Sequence, residues 1–299
     1  MASERIGWVD IARIIAIALI VGFHLLYALQ PEQGLRPIGF IGASLFFIIS
    51  GFMLANRYPD LAGFDFGWLK KRFVRIASIY YPALIAMALL FPAYNYYRGL
   101  YDLALHFLFL NWISHDTAFS IISAGWFIVP LIALYALFPM LNRMMRSNTL
   151  NGSNAIFLYA AFSLELANRI IIKDLVSFSP VFFIGEFCFG MAIANGERRW
   201  WVLAAALLPA AINPMMLMPF VLFLALNRFF GSAARLPRML SLVAENTFEI
   251  FLFHEALIMV ALGRWDIYGQ CMSVTLAILA LSIIAVKMIA NWFRNRYGH

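Results

Sequence analysis

Within VDIARIIAIALIVGFH, residues 9–24, an aspartate, an arginine and a histidine interrupt an otherwise apolar run. Arg13 and His24 are eleven residues apart. On an α-helix that spacing is about 20° of net rotation and roughly 16 Å of rise, so both side chains share one face, three turns apart. Asp10 falls one turn before Arg13, where its carboxylate can pair with the guanidinium. A guanidinium facing hydrocarbon is costly, so this face must look into protein or a water-filled cavity. An imidazole that titrates near neutrality suits general-base work on a hydroxyl, and a guanidinium can stabilise charge developing on oxygen. The plainer reading is that Asp10 and Arg13 anchor the helix end while His24 bonds a neighbouring helix.

A second group is WLKKRFVR at 68–75, with four cations in six residues. A helical start would cluster Lys71 with Arg75 and Arg72 with Arg75, a pattern that suits a polyphosphate. Ordinary positive-inside charge accounts equally for Lys70 and Lys71. Glu186 and Glu249 sit within apolar stretches and could orient an imidazole, or simply bond between helices. Trp126 and Tyr135 could stack on a sugar or fill packing space. His106, His115 and Asp116 are too loosely spaced for a metal, and none is expected. Ser50 in ISGF, with Gly39, Gly42, Ser44 and Gly51, reads as close helix packing rather than as a nucleophile. GFIG lacks the strand-then-helix setting of a nucleotide fingerprint. Cys188 and Cys271 read as small apolar fillers.

The elements that must hold these groups are membrane helices. Of 299 residues, 64% are hydrophobic and 12% charged, and mean hydropathy is +0.83, whereas a soluble domain carries about twice that charge. Apolar runs of about 20 residues recur from end to end, enough for a hydrocarbon core of about 30 Å. They do not alternate, which excludes a β-barrel. The first run is too long for a signal-peptide core and no small-residue cleavage site follows it. The expected fold is all-α, a polytopic bundle with ten transmembrane helices at about 8–29, 37–56, 76–97, 121–142, 154–171, 179–195, 200–213, 215–229, 240–263 and 272–291. Residues 103–113, too short to cross, are expected to be interfacial or re-entrant.

With the N-terminus inside, fifteen of the 22 Lys and Arg residues fall in cytoplasmic breaks and five in outer ones, with Arg13 and Lys287 inside spans. Both termini are therefore expected in the cytoplasm. The net charge of +7 then reflects inner loops, and no nucleic acid partner is expected. No repeat or low-complexity linker divides the chain, so residues 1–299 read as a single transmembrane domain without an appended soluble one.

The stretch WVDIARIIAIALIVGFH resembles the opening of the acyltransferase family 3 membrane proteins, with its D-x-x-R start and Arg-x10-His spacing. GFIGASLFFIISGFMLAN at 39–56 resembles the family's second helix, and FGWLKKRFVRIASIYYP at 66–82 its basic loop, with Ala77 in the usual proline position. AGWFIVPLIALYALFP at 124–139 and NTFEIFLFHEALI at 246–258 resemble two later helices. In the last, Thr247, Phe248 and Phe251 replace a serine and two tyrosines, and no glutamate follows Trp126. His254 matches the family pattern, either to tie helices together or to act in catalysis.

The resemblance implies transfer of an acyl group, most often acetyl, from cytoplasmic acyl-coenzyme A to hydroxyls of extracytoplasmic or lipid-linked carbohydrate. Under it His24 is the general base or a transient acyl carrier, with Arg13 and Asp10 beside it. Arg72, Arg75, Lys71 and Arg13 hold the acetyl-CoA phosphates or polarise the thioester, and Trp126, Tyr135, Glu186 and Glu249 face the acceptor. The setting implied is a bacterial-type cytoplasmic (inner) membrane, with lipids as neighbours and a homo-oligomer left open. The rival reading is a transporter or flippase that uses Asp10, Arg13 and His24 as a proton relay.

Overall fold

The computed structural model describes residues 7–31, 36–90, 99–146, 154–171, 179–196, 200–211, 213–230, 236–262 and 272–297. Among these residues the secondary structure is helical, without strands. Four stretches are long and apolar enough to cross a membrane: Gly7–Leu29, Ile38–Arg57, Phe66–Leu89 and Ser123–Arg146. The first three belong to helices α1 (Gly7–Leu29), α2 (Arg36–Arg57) and α3 (Phe66–Leu90). The fourth begins as the 3-10 turn Ser123–Phe127 and continues as α6 (Ile128–Arg146), after the short helices α4 (Leu100–Phe107) and α5 (His115–Ala118).

Two spans start or end elsewhere than expected. The third begins at Phe66 rather than 76, because the basic stretch is itself helical. Asp65 Oδ1 accepts the Trp68 backbone N–H at 2.9 Å, which satisfies a first-turn donor, and Trp68 buries its ring against Phe138 at 5.6 Å. Long cationic stems ride on such a helix without breaking it. Its expected end at 97 lies outside the described residues. The fourth span runs on to Arg146, its last turn carrying Arg143 and Arg146, as suits a helix C-terminus.

Where several of the later spans are expected, the structure has short helices rather than single long ones. After α7 (Asn154–Ile171), the expected 179–195 span holds only α8 (Ile184–Ala194), eleven residues long. The 200–213 span divides into α9 (Trp200–Ala205) and α10 (Leu207–Ala210), and the next is the 3-10 turn Pro214–Leu217 leading into α11 (Met218–Phe230). The 240–263 span breaks at Asn246 into α12 (Arg238–Glu245) and α13 (Thr247–Ala261). Asn246 holds this break: its Nδ2 donates to the Leu242 carbonyl at 2.6 Å, and its Oδ1 accepts from Lys287 on α14 (Met272–Tyr297). Residues 103–113 form the end of α4 and a 3-10 turn at Asn111–Ile113, too short to cross.

Helix α2 is the centre of the bundle, packed between α1 and α8. Small residues let the backbones meet there. A Cβ on Gly51 would overlap the Phe187 carbonyl oxygen, one on Gly190 the Ile48 carbonyl oxygen, and one on Gly42 would stand 2.6 Å from the Ala16 oxygen. Phe47 stacks on Phe183 at 4.3 Å in the same core. Helix α13 lies against α1 and α14, and α14 against α3, so residues from both ends of the chain meet around one cavity.

Candidate active site

The cavity, of about 520 Å³, opens among α1, α2, α3, α6 and the α12–α13 break. Each wall contributes by position. The first two turns of α1 supply Asp10 and Arg13, whose Oδ1 and Nη1 are 3.2 Å apart, as their one-turn spacing allows. The last turn of α2 brings Arg57, the start of α3 Arg72 and Arg75, α6 Tyr135, and the broken α12–α13 segment Glu245, Glu249 and Phe251.

Arg72 is the best supported of the four guanidiniums. Its Nη2 donates to Tyr58 Oη at 2.6 Å, and its plane lies over the rings of Tyr58 and Trp68, 4.9 and 5.6 Å from their centroids. Such a guanidinium is fixed in direction while its remaining N–H groups stay available. The loop carrying Tyr58 is itself pinned by Asn142: its Nδ2 reaches the carbonyls of Tyr58 at 3.3 Å, Pro59 at 2.9 Å and Leu61 at 3.0 Å. Arg57 also stands over Tyr58, at 5.7 Å. Four guanidiniums face three carboxylates in the lining, so the chamber carries a small excess of positive charge with several fork-shaped donors for anionic oxygens.

The end wall is aromatic. Phe46, Phe127 and Phe251 line it, and the Phe127 and Phe251 rings are 4.8 Å apart. One turn further along α13 is His254, its ring 5.9 Å from Phe251. Against it stands His24, with ring centroids 4.7 Å apart and planes at 69°. His24 is partly exposed and belongs behind the wall rather than to the cavity lining.

The structure thus gathers Asp10, Arg13, Arg72, Arg75, Tyr135 and Glu249 in one chamber, with His24 next door. It leaves three expected residues apart. Lys71 is exposed and does not line the cavity. Glu186 is buried between α2 and α8, where its Oε1 accepts from Ser44 Oγ at 3.1 Å. Trp126 packs among Phe40, Phe127 and Phe183 rather than on the chamber. His106 is buried between Tyr80 Oη, 2.6 Å from its Nδ1, and Ser120 Oγ, 3.1 Å from its Nε2, whereas His115 and Asp116 are exposed. Among the described residues no three His, Cys, Asp or Glu side chains form a group that could hold a metal ion.

Sequence reasoning missed Arg57, Tyr58, Glu245 and the His24–His254 contact. Arg57 carried a signal, since it ends a span on the same expected side as Arg72. The others depend on pairings distant in sequence.

A family model described as an acyltransferase domain matches residues 6–292, which takes in every described helix up to the last turns of α14. The chain belongs to acyltransferase family 3. No curated protein and no solved structure matches it. The family and the four crossing-length helices make the molecule an integral membrane acyltransferase.

Proposed function

We propose that this family 3 acyltransferase moves an acyl group, acetyl foremost, from cytoplasmic acyl-coenzyme A to a hydroxyl of an extracytoplasmic or lipid-linked carbohydrate. The observation that carries the reading is the arginine-lined chamber ending one aromatic layer short of a histidine pair. Arg57, Arg72 and Arg75 receive the phosphates, which stay at the wet mouth, and the pantetheine arm runs inward past Ile76, Ile79 and Leu131, all on the lining. Arg13, held by Asp10, adds a fourth guanidinium at the same end of the chamber, where it suits the pyrophosphate. His24 takes the proton of the acceptor hydroxyl as the new ester bond forms. Phe251 stands between thioester and base, so its ring must turn aside before transfer.

The apolar runs then make ten crossings, some built from paired short helices, with both termini in the cytoplasm of an inner-membrane protein. The fifteen-to-five distribution of basic residues supports that orientation. The family match favours acyl transfer over the transporter alternative.

The test uses purified protein in nanodiscs with labelled acetyl-CoA. Wild type binds the thioester and labels a glycan acceptor, and the Arg72→Ala/Arg75→Ala double variant raises the donor Kd by about 10- to 100-fold, as expected for lost charged hydrogen bonds. His24→Ala binds the donor normally and transfers nothing. Wild type that ignores coenzyme A thioesters overturns the reading.

A further inference from the structure

His254 has a fixed tautomer. Its Nδ1 lies 2.6 Å from the Phe251 carbonyl oxygen, which can only accept, so the hydrogen of the neutral ring is on Nδ1 and Nε2 carries a bare lone pair. The residue is 3% exposed, and that Nε2 is buried without a hydrogen-bond partner among the described residues. A bare acceptor in an apolar layer is uncommon and calls for a donor. The titratable ring placed against it is that of His24, 4.7 Å away and nearly edge-on. A rotation of the His24 ring about its Cβ–Cγ bond brings one of its nitrogens toward that lone pair.

We propose that His254 is a positioning residue for the transfer: its Nε2 accepts the N–H of His24 and leaves the opposite nitrogen of His24 bare toward the acceptor hydroxyl. The inference rests on the acyl-transfer reading above. As the acceptor oxygen bonds to the acyl carbon and the carbon–sulfur bond breaks, the hydroxyl proton moves to the bare nitrogen of His24. The imidazolium so formed keeps its other N–H on His254, then yields the transferred proton to the departing thiolate, which leaves as coenzyme A thiol. The arrangement uses a second neutral imidazole where other acyl-transfer sites use a carboxylate, and it introduces no charge into the membrane between turnovers.

Two substitutions separate positioning from packing. His254→Phe keeps a ring beside His24 and withdraws the lone pair; His254→Gln gives up the ring and places an amide oxygen near the Nε2 position. The expected result is a kcat reduced about 100-fold in the Phe variant, of the size usual for a disabled general base, with the donor KM unchanged. The Gln variant should recover at least 10-fold of that loss. Should the Phe variant not reach the membrane, His254→Asn replaces it, since its short amide can serve the Phe251 carbonyl without reaching Nε2. Equal activity in the Phe and Gln variants, or a Phe variant that matches wild type, overturns the role of His254 while leaving acyl transfer intact. Wild type without thioester turnover removes both.

Discussion

Arg72 shows how much of a functional side chain's value is in its supports. A guanidinium on flexible methylenes would sample many directions; stacking over Tyr58 and Trp68 and the 2.6 Å bond from Nη2 to Tyr58 Oη remove that freedom before any ligand arrives. Tyr58→Phe leaves the stack and deletes the bond, so donor affinity should fall about 3- to 10-fold with kcat preserved, measurable by titration with a thioester analogue. Arg72→Lys keeps the charge, loses the fork and should bind no better than Arg72→Ala within about 3-fold. His106 makes a different statement. Burial pulls its pKa down from 6.5 to about 4, so below pH 6.5 the unfolded chain takes up a proton that the folded one refuses. Stability is therefore full above pH 6.5 and declines as pH falls toward 4. Thermal melts in detergent should show this slope, and His106→Asn, which cannot titrate, should flatten it.

Among the elements, α2 is held most tightly. Gly51 and Gly190 each occupy the space against the partner helix's carbonyl, so Gly51→Ala must push α2 and α8 apart. Gly22, on the same kind of apolar helix, has nothing within 4 Å of where a Cβ would sit. Gly51→Ala should lower the melting temperature or the folded yield markedly, whereas Gly22→Ala should leave both unchanged or slightly raised, because alanine is the better helix former. Equal behaviour of the two would refute the close-contact account.

The element level is also where the sequence was most and least informative. Residues 8–29 and 37–56 could be read almost to the residue, since unbroken hydrocarbon bounded by polar turns admits few alternatives. The Asp10–Arg13 pair followed from spacing within a single helix. The start of α3 was hidden because its cations look like a loop when charge alone is counted. The break at Asn246 was hidden because a side chain 41 residues away, Lys287, completes it. The contact of His24 with His254 joins positions 230 residues apart, and no local pattern encodes such a meeting.

For the whole molecule, the aromatic wall divides the space that matters. On the proposed reading, with Phe46, Phe127 and Phe251 lining the cavity, a short acyl group is favoured over a long one, since each methylene without room costs about 10- to 200-fold in kcat/KM. Wild type should prefer acetyl over butyryl and hexanoyl donors, and Phe251→Ala should shift that preference toward the longer chains; an unchanged order would place the acyl group elsewhere. The same partition bears on wastage. An activated thioester exposed to a continuous aqueous passage would be spent on water whenever no sugar was at hand. On the proposed reading the wall of Phe46, Phe127 and Phe251 keeps the thioester from water until an acceptor is bound, so the protein without acceptor should cleave its donor far more slowly than the working one.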